Sequence, residues 1–408
     1  MSFAVVAFVH YMAGAYLQKG YPYSTPFYRP DDRFPGAAES AGAGRHLFGD
    51  FYQMWSITKL DSPYDSADPL RASNYPPLVH FVLRPFTWLP YDVAAAVFLG
   101  LLAAAMVAIA YAVLPGQGSA RVLAAVVLGA LTYPFLFLVD RGNVDGFALV
   151  FVASALLLRQ RWWFQRPVLL ALAAAIKVYP AVYGALFIRD RQWRELAVWV
   201  ATGAVVTVTA LSVFENGPVE EALLFIDSLK SFAAQTGGTS SHFVQHTASL
   251  ISMTNGYVGL GVLPDEARYV AAALSLAFAA LLGAFIVFVR MKLWQASFLL
   301  ATMATVCMSA SYDYRLCFFI VPLLLLIRDE SEVQWPARAF TVLFALVLVP
   351  KSLPIVYNDV SVGPFINPPL ITMIAVLVMV AAWRARRTAA AREAVAASAV
   401  ARPEPAAV

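Results

Sequence analysis

The feature that most constrains this chain is a series of separate apolar runs, each about as long as a membrane-crossing helix. Two of the clearest are Tyr91 to Leu114 and Ala267 to Val289. A helix needs roughly 20 apolar residues to cross about 30 Å of hydrocarbon, because each residue adds about 1.5 Å. Composition agrees, since 60% of the 408 residues are hydrophobic and only 13% are charged. These proportions exclude an ordinary soluble domain and predict an all-α polytopic membrane protein.

Short basic clusters between the apolar runs predict how the chain is threaded through the membrane. Cytoplasmic loops carry an excess of Lys and Arg, and on that rule both termini are cytoplasmic. The net charge of +4 therefore indicates topology, and no nucleic-acid partner is expected. About ten spanning helices are predicted: Met1 to Leu17, Tyr91 to Leu114, Arg121 to Val139, Asn143 to Leu158, Glu195 to Phe214, Ala267 to Val289, Leu293 to Ala310, Tyr314 to Ile327, Ala339 to Val356 and Pro369 to Trp383.

The run from Pro167 to Ile188 differs from the others because arginine clusters both precede and follow it. A run with both ends on one side of the membrane must turn back within it. Pro180, in the sequence KVYP, supplies the break, since proline removes a helix hydrogen bond. We therefore predict one re-entrant pair of half-helices here. Such breaks are tolerated at membrane depth where they line a buried or wet cavity, so the break indicates a functional site.

Two long polar stretches, residues 18–90 and 215–266, are predicted to be outer loops on the extracytoplasmic side. The second contains an amphipathic stretch near Val219 to Phe232. Residues 1–388 are predicted to form a single transmembrane catalytic domain. Residues 389–408 are predicted to be a cytoplasmic disordered tail, because the segment is polar and ends in a proline-interrupted sequence.

Asp50 stands in the aromatic sequence GDFYQMW, at the start of a predicted amphipathic helix on the membrane surface. A carboxylate at the boundary of water and lipid is partly desolvated, which suits it to accept a proton from a hydroxyl. The alternative interpretation is a helix cap, because Asp is a favoured N-cap residue. Tyr75, in the sequence NYPPL of the same loop, is a candidate for contacting a sugar or an acceptor.

A second polar cluster is the sequence VDRGNVDG, from Val139 to Gly146, between two apolar runs. Arg141 can bind a phosphate through paired hydrogen bonds. Asn143 and Asp145, near a helix start, are candidate partners for sugar or acceptor hydroxyls. The alternative is an ordinary Gly-Asn turn with a surface Asp-Arg pair.

Two further charged positions fall within apolar runs. Lys177 lies near the middle of its run, where a lysine costs about 2.5 to 3.5 kcal/mol and is rarely kept without a partner. In the sequence SYDYR, Asp313 and Arg315 enter a span from outside, either as a structural ion pair or as binding residues.

His242 and His246 have a four-residue spacing that places both on one helix face. No third ligand accompanies them, so a metal site is not expected. His246 remains a candidate for contacting the sugar or acceptor.

In chain order, the motifs DFYQMW, SPY, YPPL, RGNVD and KVYP followed by RDRQWR resemble glycosyltransferase family 87 of the GT-C class, the polyprenyl-phosphate-dependent mannosyltransferases. The resemblance runs from Asp50 to about Arg194. It implies a GT-C-like helix bundle in the bacterial inner (plasma) membrane. It also implies transfer of a sugar, typically mannose, from a polyprenyl-phosphate carrier to a lipid-linked or cell-envelope glycan on the extracytoplasmic face.

The resemblance carries the catalytic aspartate onto Asp50, the RGN element onto Arg141 and Asn143, and the broken-helix lysine onto Lys177. Family members often have a histidine at the outer end of a late span. This chain reads Ala310-Ser311-Tyr312-Asp313-Tyr314 there, which leaves the role of that position open.

The expected chemistry is a single inverting displacement at the anomeric carbon, with Asp50 as general base. Lys177, Arg141 and Arg315 are the candidate cations for the leaving phosphate, and neither a metal nor a cofactor is expected. The expected partners are the lipid-linked donor, a glycolipid or glycan acceptor and membrane lipids. Two alternatives remain open: a transporter or flippase of a lipid-linked sugar, and a polymerase or ligase that joins preassembled glycans.

Overall fold

The computed structural model describes residues 48–65, 72–236, 248–308, 311–329, 335–349 and 363–400. Within these ranges the chain is helical and contains no β-strand, as the sequence predicts. The predicted first span, Met1 to Leu17, lies outside the described residues.

The first half of the described chain contains eight α-helices. They are α1 (Gly49–Ile57), α2 (Pro77–Leu83), α3 (Tyr91–Val113), α4 (Gly118–Ala130), α5 (Tyr133–Arg141), α6 (Asp145–Leu157), α7 (Gln165–Ile176) and α8 (Ala185–Arg189). Two 3₁₀ helices accompany them, Arg84–Trp88 after α2 and Tyr179–Gly184 between α7 and α8.

The second half of the described chain contains eight more. They are α9 (Trp193–Leu211), α10 (Gly217–Thr236), α11 (Leu250–Gly259), α12 (Ala267–Phe288), α13 (Leu293–Thr305), α14 (Ile320–Asp329), α15 (Trp335–Val347) and α16 (Gly363–Val400). A 3₁₀ helix, Asp313–Phe319, leads directly into α14.

Four of the described helices are long and apolar enough to cross a membrane, or up to five if one bent pair counts as a span. They are α3, α9, α12 and the Gly363–Thr388 part of α16. Other predicted spans form shorter helices, such as the 13-residue α6 and α13. Thirteen residues reach only about 20 Å, less than the hydrocarbon thickness. The predicted count of about ten spans therefore stays a prediction.

The predicted span from Arg121 to Val139 is not a single straight helix. Helix α4 ends at Ala130, α5 begins at Tyr133, and the two are bent by 56°. Pro134 lies in the first turn of α5, where its missing N–H is tolerated but a continuous helix through it would lose a hydrogen bond. The bend directs the end of α5 toward α1.

The broken segment turns back on itself. Lys177 has an extended backbone that ends α7, and Pro180 lies in the first turn of the following 3₁₀ helix. At the start of α7, the Arg166 guanidinium lies 5.6 Å from the ring of Phe187 in α8. At the start of α9, the Arg194 guanidinium lies 3.7 Å from the ring of Trp163, before α7. The two ends of the segment therefore lie at the same end of the bundle, which is the geometry of a hairpin.

Helix α10 covers the predicted amphipathic stretch in the second predicted outer loop and is hydrogen-bonded to the first. Its buried Ser228 donates to the Ser73 carbonyl at 2.6 Å. Its buried Glu221 accepts hydrogen bonds from Ser62 and Asn216, each at 3.0 Å. These bonds fasten the first loop, which carries α1 and α2, to the second.

The last described helix continues past residue 389, and the predicted disorder of the tail stays a prediction. Helix α16 continues through Val400, and residues 401–408 lie outside the described part of the chain. The sequence from Arg384 to Val400 is rich in Ala and Arg, which have high helix propensity and carry the helix on past its apolar part.

Candidate functional site

Asp50 occupies the first turn of α1 and binds the turn between α5 and α6. Its carboxylate accepts a hydrogen bond from Asn143 Nδ2 at 2.6 Å and pairs with the Arg141 guanidinium. Phe48, and not Asp50, is the N-cap of α1. The cap interpretation of Asp50 is therefore not supported, since both carboxylate oxygens interact with residues about ninety positions away.

Gly142 allows α1 and α5 to approach this closely. Its φ of +64° is left-handed, as at many helix C-termini, and it ends α5. A Cβ at this position would lie 2.7 Å from the Cβ of Phe51 and 2.9 Å from that of Phe48. Both the backbone conformation and the space therefore require glycine between Arg141 and Asn143.

Asp145, the first residue of α6, is completely buried and is surrounded by donors. Lys177 Nζ lies 3.1 Å from Oδ1, the Tyr179 hydroxyl donates to Oδ2 at 2.8 Å, and Arg315 Nε lies 3.6 Å from Oδ2. We predicted that Asp145 contacts a sugar or acceptor hydroxyl. Its side chain has no exposed surface and contacts Lys177, Tyr179 and Arg315, and the contact with a substrate hydroxyl stays a prediction.

Asn143 is also completely buried, and both polar atoms of its side chain are used. Its Nδ2 donates to Asp50, and its Oδ1 accepts from the Asp145 backbone N–H at 2.9 Å. Asn143 therefore links the two aspartates and orients Asp50. The predicted contact with a substrate hydroxyl stays a prediction.

Four charged side chains of this cluster keep 13–14% of their surface exposed, in contrast to the buried Asp145 and Asn143. They are Asp50, Arg141, Lys177 and Arg315. A ligand can reach a side chain that is mostly buried but keeps part of its surface exposed. The predicted catalytic carboxylate and the three predicted phosphate-binding cations are therefore the accessible members of the cluster.

Tyr75 lies between the carboxylate and the cations. Lys177 Nζ is 4.0 Å from the centre of its ring, a favourable cation–π contact. Burial raises the pKa of the Tyr75 hydroxyl well above its ordinary value, and the charges of Asp50 and Asp145 raise it further. Asp50 also acts electrostatically on Lys177. An acid from the first loop and a cation from the broken helix therefore share one site, which was the central expectation from the sequence.

The sequence pattern of glycosyltransferase family 87 matches residues 74–312, more than half of the chain. The chain belongs to glycosyltransferase family 87. The matched region of this family 87 protein includes Tyr75, Arg141, Asn143, Asp145 and Lys177. It begins after Asp50 and ends before Arg315.

One curated relative is a protein of Mycolicibacterium smegmatis named polyprenol-phosphate-mannose-dependent alpha-(1-2)-phosphatidylinositol pentamannoside mannosyltransferase. It is 33% identical over 128 residues, which are 30% of this chain and 31% of the relative. The match thus spans about a third of that protein. No solved structure matches this family 87 chain.

Asp313 connects three parts of the family 87 bundle. It is completely buried and accepts hydrogen bonds from the Tyr133 hydroxyl in α5 at 2.8 Å and from Asn367 Nδ2 in α16 at 3.0 Å. Arg315, its predicted ion-pair partner, lies against Asp145 instead. Asp313 therefore joins α5 to α16 through its hydrogen bonds, and its role in sugar or acceptor binding stays a prediction.

Two residues near the site were not singled out from the sequence. Tyr179 donates to Asp145, and its ring lies 4.3 Å from the Arg315 guanidinium. The adjacent Pro180 predicted the helix break. The sequence around a tyrosine does not predict that its hydroxyl binds a residue 34 positions away.

His80 in α2 is the second residue that sequence reasoning missed. It is buried and lies 2.7 Å from both Thr58 Oγ1 and Ser73 Oγ. Burial lowers the pKa of His80 to about 3, so its ring is neutral in the folded protein at ordinary pH.

The remaining predicted residue, His246, lies outside the described residues together with His242. Across the ranges that the structure does describe, no group of three or more His, Cys, Asp and Glu side chains could hold a metal ion.

Proposed function

We propose that this family 87 chain is a membrane glycosyltransferase that moves a sugar, most simply mannose, from a polyprenyl-phosphate carrier to a lipid-linked or cell-envelope glycan. The observation that carries the proposal is the shared site of one accessible carboxylate, Asp50, and three accessible cations, Arg141, Lys177 and Arg315. Family membership and the donor in the relative's name support the same chemistry.

In the proposed reaction, an acceptor hydroxyl attacks the anomeric carbon of the donor sugar from the side opposite the phosphate. The new glycosidic bond forms as the bond from carbon to phosphate oxygen breaks, and the configuration is inverted. Asp50 takes the hydroxyl proton as the new bond forms. The leaving phosphate is already a weak base, so cations suffice to stabilise it and no general acid is needed.

Charge balance favours this assignment. The cluster contains three cations and two carboxylates, so it carries one net positive charge, which matches the single negative charge of a phosphodiester donor. After transfer the released phosphate monoester carries about one more negative charge. In the same step Asp50 accepts a proton and loses its negative charge. The balance of charge is therefore the same before and after transfer, and the mostly desolvated site is never left with an uncompensated charge.

Asp145, Asn143 and Tyr179 act as positioning residues in this scheme. Asp145 holds Lys177 and Arg315 in fixed directions, and Asn143 holds Asp50. Cations oriented before the donor arrives need little reorganisation when the leaving phosphate develops charge. Tyr75, beside Lys177, is available to contact the sugar or acceptor.

The proposed topology has about ten spans and one re-entrant hairpin, with both termini in the cytoplasm of a bacterial cell. The 12-residue helix α7 separates Lys177 from the arginine clusters at the other end of the hairpin. This separation is about 18 Å. If the arginines lie at the cytoplasmic surface, the site lies deep in the outer half of the membrane and opens to the extracytoplasmic side, where a polyprenyl carrier can reach it from the lipid.

The test is a transfer assay with purified protein in nanodiscs and polyprenyl-phosphate-[³H]mannose, followed by extraction of glycolipids. The Asp50→Asn variant should bind the donor but lose about 10²- to 10⁴-fold in turnover, the usual contribution of a general base. Asp92→Asn is the matched control, since Asp92 is an exposed aspartate in the first turn of α3. Normal turnover by Asp50→Asn would remove the mechanism. In sealed proteoliposomes, movement of labelled donor across the bilayer without any new glycolipid would instead favour a flippase.

A further inference from the structure

The end of the hairpin opposite the site carries an unusual concentration of arginine. Two loops with their flanking helix ends meet there, residues 158–166 up to the first turn of α7 and residues 189–194 up to the first turn of α9. The contact of Arg194 with Trp163 joins them. Gln165 orders the first loop, because its Oε1 accepts from the backbone N–H groups of Arg161 at 2.6 Å and Trp162 at 3.0 Å. We call these two loops the inner loop pair. Its six arginines are Arg159, Arg161, Arg166, Arg189, Arg191 and Arg194.

Acidic residues do not balance these arginines. The segments hold one acid, Asp190, and Glu195 follows directly. Asp190 pairs with Arg189 through bonds of 2.7 and 3.0 Å. The inner loop pair therefore keeps a strong net positive charge.

Two of the arginines are packed into the surface with donors that no group in the described chain satisfies. These donors are Nε and Nη2 of Arg166 and Nη1 of Arg189, all of them buried atoms. The Arg166 guanidinium lies 5.6 Å from the ring of Phe187, two residues before Arg189, so the two arginines are close in space. Burial lowers the pKa of Arg166 and the charge of Arg189 lowers it further, whereas Asp190 and Glu195 raise it. Buried charged donors without acceptors are costly, so this arrangement favours an anion with several oxygens between them.

Exposed aromatic rings flank the same two arginines. Trp162, Trp163 and Trp193 are 51%, 45% and 61% exposed. Tryptophan is enriched where a membrane protein meets the headgroup layer, since its ring is apolar and its N–H is polar. The rings therefore place Arg166 and Arg189 at the depth of lipid phosphates.

We propose that the inner loop pair binds an anionic phospholipid, with the lipid phosphate between Arg166 and Arg189 and the three tryptophans in the surrounding headgroup layer. Charge complementarity selects an anionic lipid over a zwitterionic one. The exposed tryptophans select a lipid over a free anion. Because Arg166 lies in the first turn of α7 and Lys177 directly follows its last residue, the bound lipid fastens the base of the hairpin whose tip carries a cation of the site.

Lipid retention, measured by native mass spectrometry, tests this proposal without any transfer assay. Full-length protein in detergent is titrated with phosphatidylglycerol or with phosphatidylcholine of the same acyl chains. We expect the first to be retained at least fivefold more strongly. The double variant Arg166→Gln/Arg189→Gln should lose that preference. The control Arg121→Gln should keep it, because Arg121 is a half-buried arginine that donates to the Tyr111 carbonyl in another part of the fold.

A second variant keeps the test decisive if the double variant does not fold. Arg166→Lys retains the charge and the aliphatic stem but cannot form paired hydrogen bonds, so an intermediate preference is expected. Three results would overturn the proposal: equal retention of the two lipids by the unaltered protein, an unchanged preference in the double variant, or full displacement of phosphatidylglycerol by millimolar inorganic phosphate. Because retention is read without donor or acceptor, failure of the lipid site and failure of the proposed transfer reaction are distinguishable.

Discussion

The two ends of helix α7 both present cations, but they neutralise them differently. At the C-terminal end, Lys177 faces the buried carboxylate of Asp145, which also receives Tyr179 and Arg315. At the N-terminal end, Arg166 and Arg189 keep buried donors that no described group accepts. In the proposed topology these are the outer end and the inner end of α7. The outer end is oriented from within the protein, whereas the inner end is proposed to bind an anion from outside. Helix α7 thus connects the preorganised site at Lys177 to the proposed lipid-binding surface at Arg166.

The largest effect is expected from removing the internal anion at the outer end. Asp145→Asn leaves Lys177 and Arg315 buried without their carboxylate, and breaking a buried pair costs about 3–5 kcal/mol in free energy of unfolding. Transfer activity should fall with it, because both cations lose their fixed directions. Unfolding by titration with sodium dodecyl sulfate in mixed micelles measures the stability. A variant as stable and as active as the unaltered protein would show that the outer end is not organised by Asp145.

A smaller effect is expected from Tyr179→Phe, which removes one hydrogen bond to Asp145 but keeps the ring beside Arg315. Hydrogen bonds to charged groups contribute about 1.5–3 kcal/mol, so a loss of that size is expected in the same titration. Tyr111→Phe is the control, since Tyr111 is 43% exposed and its phenol should contribute close to nothing. Equal stability of the two variants would contradict the proposed network.

Lowering the pH should reduce the free energy of unfolding through His80 in the first predicted outer loop. Lipid retention at the inner end should not change. The folded pKa of His80, about 3, lies below the ordinary value of 6.5, so the unfolded chain binds a proton more readily. The contribution of His80 to stability is complete above pH 6.5 and is lost as the pH falls toward 3. Between pH 6.5 and 5 the expected loss is about 1.5 kcal/mol. Thermal unfolding at several pH values measures it, and His80→Gln should flatten the dependence over this range.

The same pH series sharpens the contrast between the two ends. Arginines stay charged between pH 5 and 8, as does a phosphodiester, so retention of phosphatidylglycerol should not change. Lipid retention that follows the His80 titration would contradict the separation of the two ends.

The smallest effect is expected from Asp190→Asn at the inner end. Its ion pair with Arg189 is partly exposed, with 32% of the Asp190 side chain accessible, and such pairs contribute about 0–1 kcal/mol. Removing Asp190 leaves Arg189 available to a lipid, so phosphatidylglycerol should be retained more strongly. Weaker retention, or a stability loss as large as that of Asp145→Asn, would remove the difference between the ends.

Local sequence patterns predicted the bounds of two long helices to within one residue. Helix α3 begins at the predicted Tyr91 and α12 at the predicted Ala267, and each ends one residue before its predicted end. A continuous apolar run is a local property, so its helix needs no knowledge of distant residues. The bend between α4 and α5 was missed although Pro134 marks it, because the apolar pattern continues through the break.

The candidate site was predicted in part. The sequence indicated Asp50, Arg141, Lys177 and Arg315, and the structure brings all four together. It did not indicate that Asp145 and Asn143 are buried or that Tyr179 donates to Asp145. The side chains that pair with Asp145 lie from 32 to 170 positions away in the chain, and no local pattern specifies such a partner.

By itself, the sequence determined the class of this protein: a helical membrane chain with an acid in its first polar stretch and a cation at a helix break. These follow from apolar run length and from proline chemistry, which act over a few residues. Only the tertiary structure decided which charged side chains pair, which are completely buried and which keep exposed surface. The reason is physical, since burial and ion pairing depend on what packs around a side chain, and in this bundle those neighbours come from distant helices.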